Sequence, residues 1–112
     1  MKKDDCIFCK IANGDFGTEF VLDTDDIVAF RDINPQAPEH ILVIPKEHYE
    51  NILEVDSADI LAKLMQGVQA VSKKIGLKEF RTVINTGKQA GQTVFHVHIH
   101  MLGGKELSAT FD

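Results

Sequence analysis

His96, His98 and His100 alternate with Val97, Ile99 and Met101 near the C-terminal end of the chain. Imidazole moves more readily than other side chains between nucleophile, acid and base near neutral pH. A neutral ring nitrogen can attack phosphorus and hold the transferred group covalently, which splits one hard displacement into two easier ones. A second, protonated imidazole can hand its proton to the leaving group. Neighbouring imidazoles disfavour each other's charge, so their titrations should be coupled and their pKa values pulled apart. Side chains alternate between the faces of a strand, so the three histidines project together and the three apolar residues project oppositely. Successive histidines then stand ~6.6 Å apart along the strand, and the outer two ~13 Å. A zinc–nitrogen bond spans only ~2.0 Å, so one ion bound directly by all three would be strained. The three rings should have separate jobs. One histidine alone reads most simply as a satisfied structural residue; three on one strand face point to group transfer or hydrolysis, without naming the group.

The chain has two cysteines, Cys6 and Cys9. In a reducing compartment that spacing suits a metal or redox site better than a structural staple. A thioredoxin-like pair needs a strand leading into a helix, and nothing upstream of Cys6 supplies one. Closed zinc sites take four ligands, so two more would have to come from elsewhere. A zinc site and a pair of buried free thiols are the two readings that remain.

These residues belong to an acidic chain. Lys and Arg total 12 against 17 Asp and Glu, a formal charge of 12 − 17 = −5. Sequence-independent nucleic-acid binding depends on a basic footprint, and no basic cluster is present, so RNA and DNA are not expected partners. No apolar run reaches the ~18 residues of a membrane-spanning helix, and Met1–Asp5 lacks the apolar stretch of a secretion signal. The expected location is the cytoplasm, with no membrane partner. At 112 residues the chain fits one domain, 1–112, without repeat or linker.

The elements that must position the histidines follow from hydrophobic spacing. Ile7, Phe8 and Ile11 form a short helical stripe ending near Asn13-Gly14. Phe20–Leu22 and Ile27–Phe30 read as strands joined by an Asp23–Asp26 turn. Two prolines make Asn34–Pro38 a loop, and His40–Ile44 is a third strand stopped by Pro45. The spacing of Ile60, Leu61, Leu64, Met65, Val68, Val71 and Ile75 predicts a long helix from about Ser57 to Ile75, with Asp56 as N-cap and Gly76 as its stop. Arg81–Asn85 and Val94–Leu102 read as the last two strands, separated by a Lys88–Gln92 loop. Short connections between consecutive strands favour an antiparallel sheet with the long helix on one face. The expected class is α+β: roughly five strands, one long helix and a short N-terminal helix.

The segment Gly91-Gln92-Thr93-Val94-Phe95-His96-Val97-His98-Ile99-His100-Met101-Leu102-Gly103-Gly104 resembles the signature of the histidine-triad (HIT) nucleotide-binding proteins, His-φ-His-φ-His-φ-φ with φ apolar. Leu102-Gly103-Gly104 resembles the Hint branch of that family. Phe30-Arg31-Asp32-Ile33-Asn34-Pro35-Gln36-Ala37-Pro38 and His40-Ile41-Leu42-Val43-Ile44-Pro45-Lys46 are similar to further family segments, so the likeness spans Cys6 to Gly104. It implies a HIT-like fold and a homodimer with a joined sheet. His98 would be the nucleophile that takes up the nucleotidyl group. His100 and Thr93 would contact the phosphate or assist the leaving group, with His40 in the same network. Asp32 would bind the ribose hydroxyls and Ile33 the base, while Asn85, Gly91, Gln92 and Thr93 would hold the phosphate. Taken alone, Asp32 reads as a solvated turn residue and Gly91-Gln92 as an ordinary turn.

The same resemblance bears on the cysteines. In some members, as in the related galactose-1-phosphate uridylyltransferases, a Cys-x-x-Cys pair, a downstream histidine and the first triad histidine bind zinc. That implies Cys6, Cys9, His48 and His96 as structural ligands; relatives without the cysteines imply that catalysis does not require the metal. The activity implied is hydrolysis of purine nucleoside phosphoramidates, such as adenosine 5′-monophosphoramidate, to AMP and an amine. A nucleotide-binding interaction module with incidental hydrolysis is one alternative. A dinucleoside polyphosphate hydrolase or nucleotidyl transferase is another. The tail Glu106–Asp112 offers no aromatic residue beyond Phe111 to set leaving-group preference.

Overall fold

Apolar, β-branched runs around Ile27 and Ile41 pair with each other and form the centre of the fold. The structure is a computed structural model describing residues 3–111. In chain order it contains helix α1 (Ile7–Ala12), strands β1 (Leu22–Asp23), β2 (Ile27–Arg31) and β3 (Glu39–Pro45), helix α2 (Ala58–Ile75), and strands β4 (Phe80–Val83) and β5 (Ile99–Gly103). Short 3-10 turns occupy Ile52–Glu54 and Lys88–Ala90. Among the described residues the strands form one antiparallel five-stranded sheet, in the order β1-β2-β3-β5-β4. The class is α+β, as expected. No helix is long and apolar enough to cross a membrane among the described residues.

Both faces of the sheet are packed. Ile27, Ala29, Ile41, Val43, Ile99 and Met101 meet Leu64, Val68 and Val71 of α2 on one side. Val28, Phe30, Leu42 and Ile44 meet Phe8, Cys9 and Ala12 of α1 on the other. This two-sided cover explains why β2 and β3 read as continuous apolar runs rather than alternating ones. Strand β5 alternates instead, with Ile99 and Met101 buried and His100 partly exposed. The expected alternation therefore holds there, and the histidine side is the one that α1 shares.

Several boundaries differ from the sequence reading for identifiable reasons. The N-cap of α2 is Ser57, not Asp56: its hydroxyl accepts the Ile60 N–H at 3.2 Å. Gly76, at φ 72°, ends that helix in a left-handed conformation that a side chain would disfavour. Leu61 and Met65, expected on the buried stripe, lie at its edge and remain substantially exposed. The third strand runs through Pro45 rather than stopping before it, since proline can close a strand where no ladder donor is needed. The first strand is shorter than Phe20–Leu22 suggested, and the fourth ends at Val83 rather than Asn85.

The largest correction concerns the last strand, which begins at Ile99 rather than Val94. Val43 pairs with Ile99, so continuing the register would set Val97 opposite Pro45. Pro45 has no N–H to give, and its carbonyl accepts from the His96 ring at 2.8 Å. The Val97 N–H turns instead to the Tyr49 carbonyl at 2.7 Å. The chain thus leaves the ladder just where the first two histidines of the triad lie.

Candidate active site and metal cluster

The β3–β5 register, with His40 opposite Leu102 and Leu42 opposite His100, puts His40 diagonally across from His100 on the same face. The His40 Nε2 and His100 Nδ1 atoms lie 2.9 Å apart. Which atom donates follows from the other side of His40, whose Nδ1 accepts the Gln36 N–H at 3.0 Å. A neutral His40 therefore carries its proton on Nε2 and donates it to His100 Nδ1. His100 in turn keeps its own proton on Nε2. Asp32 Oδ2 lies 3.6 Å from His40 Nε2, and Asp32 Oδ1 accepts the Asn34 N–H at 2.8 Å, which holds the carboxylate at the start of the proline loop.

His98 is wired in the opposite sense. Its Nδ1–H donates to the His96 carbonyl at 2.7 Å, leaving the Nε2 lone pair without a hydrogen-bond partner among the described residues. The His98 and His100 ring centroids are 4.9 Å apart, closer than the strand repeat alone would give. Burial lowers the pKa of His98, opposed by the His96 carbonyl and by Asp32. Burial also lowers His40, against the pull of Asp32. His100 is pushed down to about 4 by burial and by the neighbouring His98 and His40 rings. The rings are accordingly neutral at physiological pH, with one lone pair available and one N–H beside it. Chemically, such a lone pair can act as a nucleophile and the N–H beside it as a hydrogen-bond donor.

The loop before the triad is held from inside. Gln92 is buried, its Oε1 accepts the Gly87 N–H at 2.8 Å, and its Nε2 donates to the carbonyls of Glu50 at 2.6 Å and Val94 at 3.1 Å. Its own backbone N–H bonds to the Gly87 carbonyl at 3.1 Å. Gln92 therefore braces the loop, and its amide is not available for the phosphate contact expected of it. Gly91 adopts φ 91°, a conformation that favours glycine, and a Cβ there would lie 3.9 Å from the Asn85 amide nitrogen. Asn85 and Gly91 are thus neighbours, and Thr93 follows them on the exposed side of the loop. Ile33, next to Asp32, is 92% exposed.

Cys6, Cys9, His48 and His96 converge, with their ligand atoms all within 4.8 Å of one another. Cys6 Sγ lies 3.3 Å and Cys9 Sγ 3.5 Å from His96 Nδ1, and Cys9 Sγ is 3.3 Å from His48 Nδ1. Ligands ~2.0 Å and ~2.3 Å from a tetrahedral ion sit about 3.5 Å from each other, so the four atoms have the spacing an ion requires. Cys6 N-caps α1, its sulfur accepting the Cys9 N–H at 3.3 Å, and Cys9 Sγ accepts the Lys3 N–H at 3.4 Å. The His96 Nε2–H donates to the Pro45 carbonyl, which turns the Nδ1 lone pair towards the sulfurs. Without an ion, burial raises the Cys6 thiol, so metal uptake must displace protons. The Nε2 of His48 is buried without a hydrogen-bond partner among the described residues.

Asp32, His40 and His100 also bring ligand atoms within 4.8 Å of one another. Their hydrogen bonds oppose a metal. An ion on His40 Nε2 would need the proton on Nδ1, where the Gln36 N–H already points.

The HIT domain family matches residues 13–107. The chain belongs to the HIT family. It is 45% identical over 103 residues to protein HitA of Neisseria gonorrhoeae, covering 89% of this chain and 96% of that protein. A HIT-like protein of Synechococcus elongatus is 47% identical over 108 residues, covering 94% of this chain and 95% of its own length. Among solved structures, a histidine triad protein from Clostridium difficile superposes with a TM-score of 0.93 at 40% identity, covering 99% of this chain and 100% of that one. A HIT family hydrolase from Legionella pneumophila gives 0.88 at 39% identity, covering 94% and 97%.

In this HIT protein the family match begins after both cysteines, so the Cys/His cluster joins residues outside the match to His48 and His96 within it. Sequence reasoning missed three participants. Phe8 packs edge-on against His98, with centroids 5.1 Å apart, and against Phe30 at 5.6 Å. The Gln36 N–H and the Pro45 carbonyl set ring tautomers through the backbone, which residue types do not reveal. Only Phe8 carried a signal, since it sits between the two cysteines.

Proposed function

We propose that this HIT protein is a Hint-like hydrolase that cleaves purine nucleoside 5′-phosphoramidates to the nucleoside monophosphate and an amine. The observation that carries the reading is the opposed wiring of His98 and His100. His98 Nε2, unprotonated because Nδ1–H is tied to a carbonyl, attacks phosphorus as the P–N bond breaks. The departing amine nitrogen takes up a proton from water, with the His100 Nε2–H hydrogen-bonded beside it and His40 holding that tautomer through His100 Nδ1, so both rings stay neutral through the step. The nucleotidyl-imidazolium on His98 retains its bond to the His96 carbonyl and lies in the field of Asp32, which favours the positive ring. Water then attacks the same phosphorus, the bond from phosphorus to His98 Nε2 breaks and the water's proton passes to solvent, which releases the monophosphate and returns His98 to its neutral Nδ1–H form. One water is consumed and one amine released.

Asp32 and the exposed Ile33 support a ribose and base site, and Asn85, Gly91 and Thr93 a phosphate site. Cys6, Cys9, His48 and His96 suit zinc. Four protein ligands leave no open position, so the ion would act as a structural cross-link and not as a Lewis acid. The open edge strand β4 and the exposed Leu61 and Met65 support a homodimer with joined sheets. The test is amine release from adenosine 5′-monophosphoramidate by wild type and His98→Gly. Turnover that survives the substitution sinks the nucleophile assignment. Tight AMP binding with negligible wild-type turnover replaces the enzyme with a binding module, and faster cleavage of a dinucleoside polyphosphate changes the substrate class.

A further inference from the structure

We infer that α1 is a metal-anchored clamp on the nucleophile: an ion held by Cys6, Cys9, His48 and His96 keeps the His98 ring in its Nδ1–H form through two contacts, the His96 carbonyl and the Phe8 ring. The inference rests on the proposed role of His98. Rotation of a histidine ring about its last torsion is soft and roughly two-fold, so its surroundings must choose the orientation. Among the described residues the His98 ring makes one hydrogen bond, to the His96 carbonyl, because Nε2 is kept for substrate. Its ring contacts are Phe8, edge-on at 5.1 Å and 82°, and His100, with centroids 4.9 Å apart.

The hydrogen bond and the Phe8 contact lead back to the cluster. His96 presents its ring to the two sulfurs, while its carbonyl, two bonds along the backbone, holds His98. Phe8 lies between the two cysteines in a helix of only six residues, too short to be stable without tertiary anchoring. It also touches the His96 ring at 6.0 Å, so it fills the angle between the metal-side and the catalytic histidine. With the ion gone, α1 loses its tie to His48 and His96, which lie 39 and 90 residues away. Phe8 is thus a positioning residue, acting through His98.

The experiment uses the full chain, 15N-labelled and loaded with one equivalent of zinc, then stripped with a chelator. Long-range 1H–15N spectra at neutral pH read which His98 ring nitrogen carries the proton, and circular dichroism reads the fold. The loaded protein should show one Nδ1–H form. In the stripped, folded protein the two ring-nitrogen shifts should move towards each other, and kcat should fall ~10- to 100-fold while KM changes less. An unchanged His98 spectrum after stripping overturns the inference, as does failure to take up zinc. If stripping unfolds the chain, the loaded Phe8→Leu variant decides: displaced His98 signals support the clamp and wild-type signals overturn it. The tautomer is read without substrate, so a protein that does not cleave phosphoramidates can still pass this test, and an active one can still fail it.

Discussion

The chain's two histidine groups use the same side chain and differ in where each ring keeps its proton. In the cluster with the cysteines, His96 spends its N–H on the Pro45 carbonyl and turns a lone pair towards two sulfurs. In the group with Asp32, a backbone N–H claims Nδ1 of His40, and the ring passes its own proton on to His100. The first arrangement suits an ion and the second a proton. Backbone groups make that assignment in both cases, so ligand-atom proximity alone, which the two groups share, does not distinguish them.

Substitutions should separate the two groups in order of effect. The largest loss is expected at His98→Gly, with phosphoramidate turnover down ~10⁴-fold or more and an unchanged circular dichroism spectrum. Full activity in that variant would remove the second group from the chemistry. Cys9→Ser should abolish stoichiometric zinc in the purified protein and lower Tm by ~10 °C or more, while turnover persists at a reduced level. Normal metal content and Tm would instead make the thiols ordinary core residues. His40→Asn removes the ring whose Nε2–H orients His100 but keeps the nucleophile, and should reduce kcat ~10- to 100-fold with zinc retained.

The pH response should be smaller and of definite sign. His100 sits at about 4 in the folded chain, and burial lowers His40 and His98 below the ordinary 6.5. Between those values the unfolded chain binds more protons than the folded one, so stability rises with pH there. The contribution is present above about 6.5 and is lost progressively as pH falls towards 4; urea midpoints from pH 7.5 to 4 would measure it. The acid limb of kcat/KM should correspondingly lie below 6.5. A limb at or above 6.5 would mean the rings are charged in the working enzyme. Smallest of all, Ser57→Ala should cost ~1 kcal/mol through the lost N-cap of α2, with zinc and turnover intact.

Much of this architecture was legible from residue spacing. The β2 and β3 runs, the α2 stripe and the Gly76 stop follow directly from periodicity and glycine conformation. The triad announced group-transfer chemistry, and Cys6 with Cys9 a possible metal; joining His48 and His96 to them took the resemblance, because contacts across 39 to 90 residues have no local pattern. The start of β5 was unreadable because it depends on what lies opposite, a proline whose carbonyl is already engaged. Gln92 looked like a ligand group because an amide can face either way, and only packing shows that this one faces inward.

The reach of the Cys/His cluster would matter in the unfolded chain if it holds an ion. An ion joining Cys6 to His96 closes a loop across 90 residues of sequence. Loop-closure entropy grows with the logarithm of loop length, and a covalent link across ~100 residues is worth about 4.7 kcal/mol in that account. A metal bridge retained during unfolding would act as a reversible girdle around most of the polypeptide, restricting the denatured ensemble much as a disulfide would, but by a bond that reducing conditions leave in place.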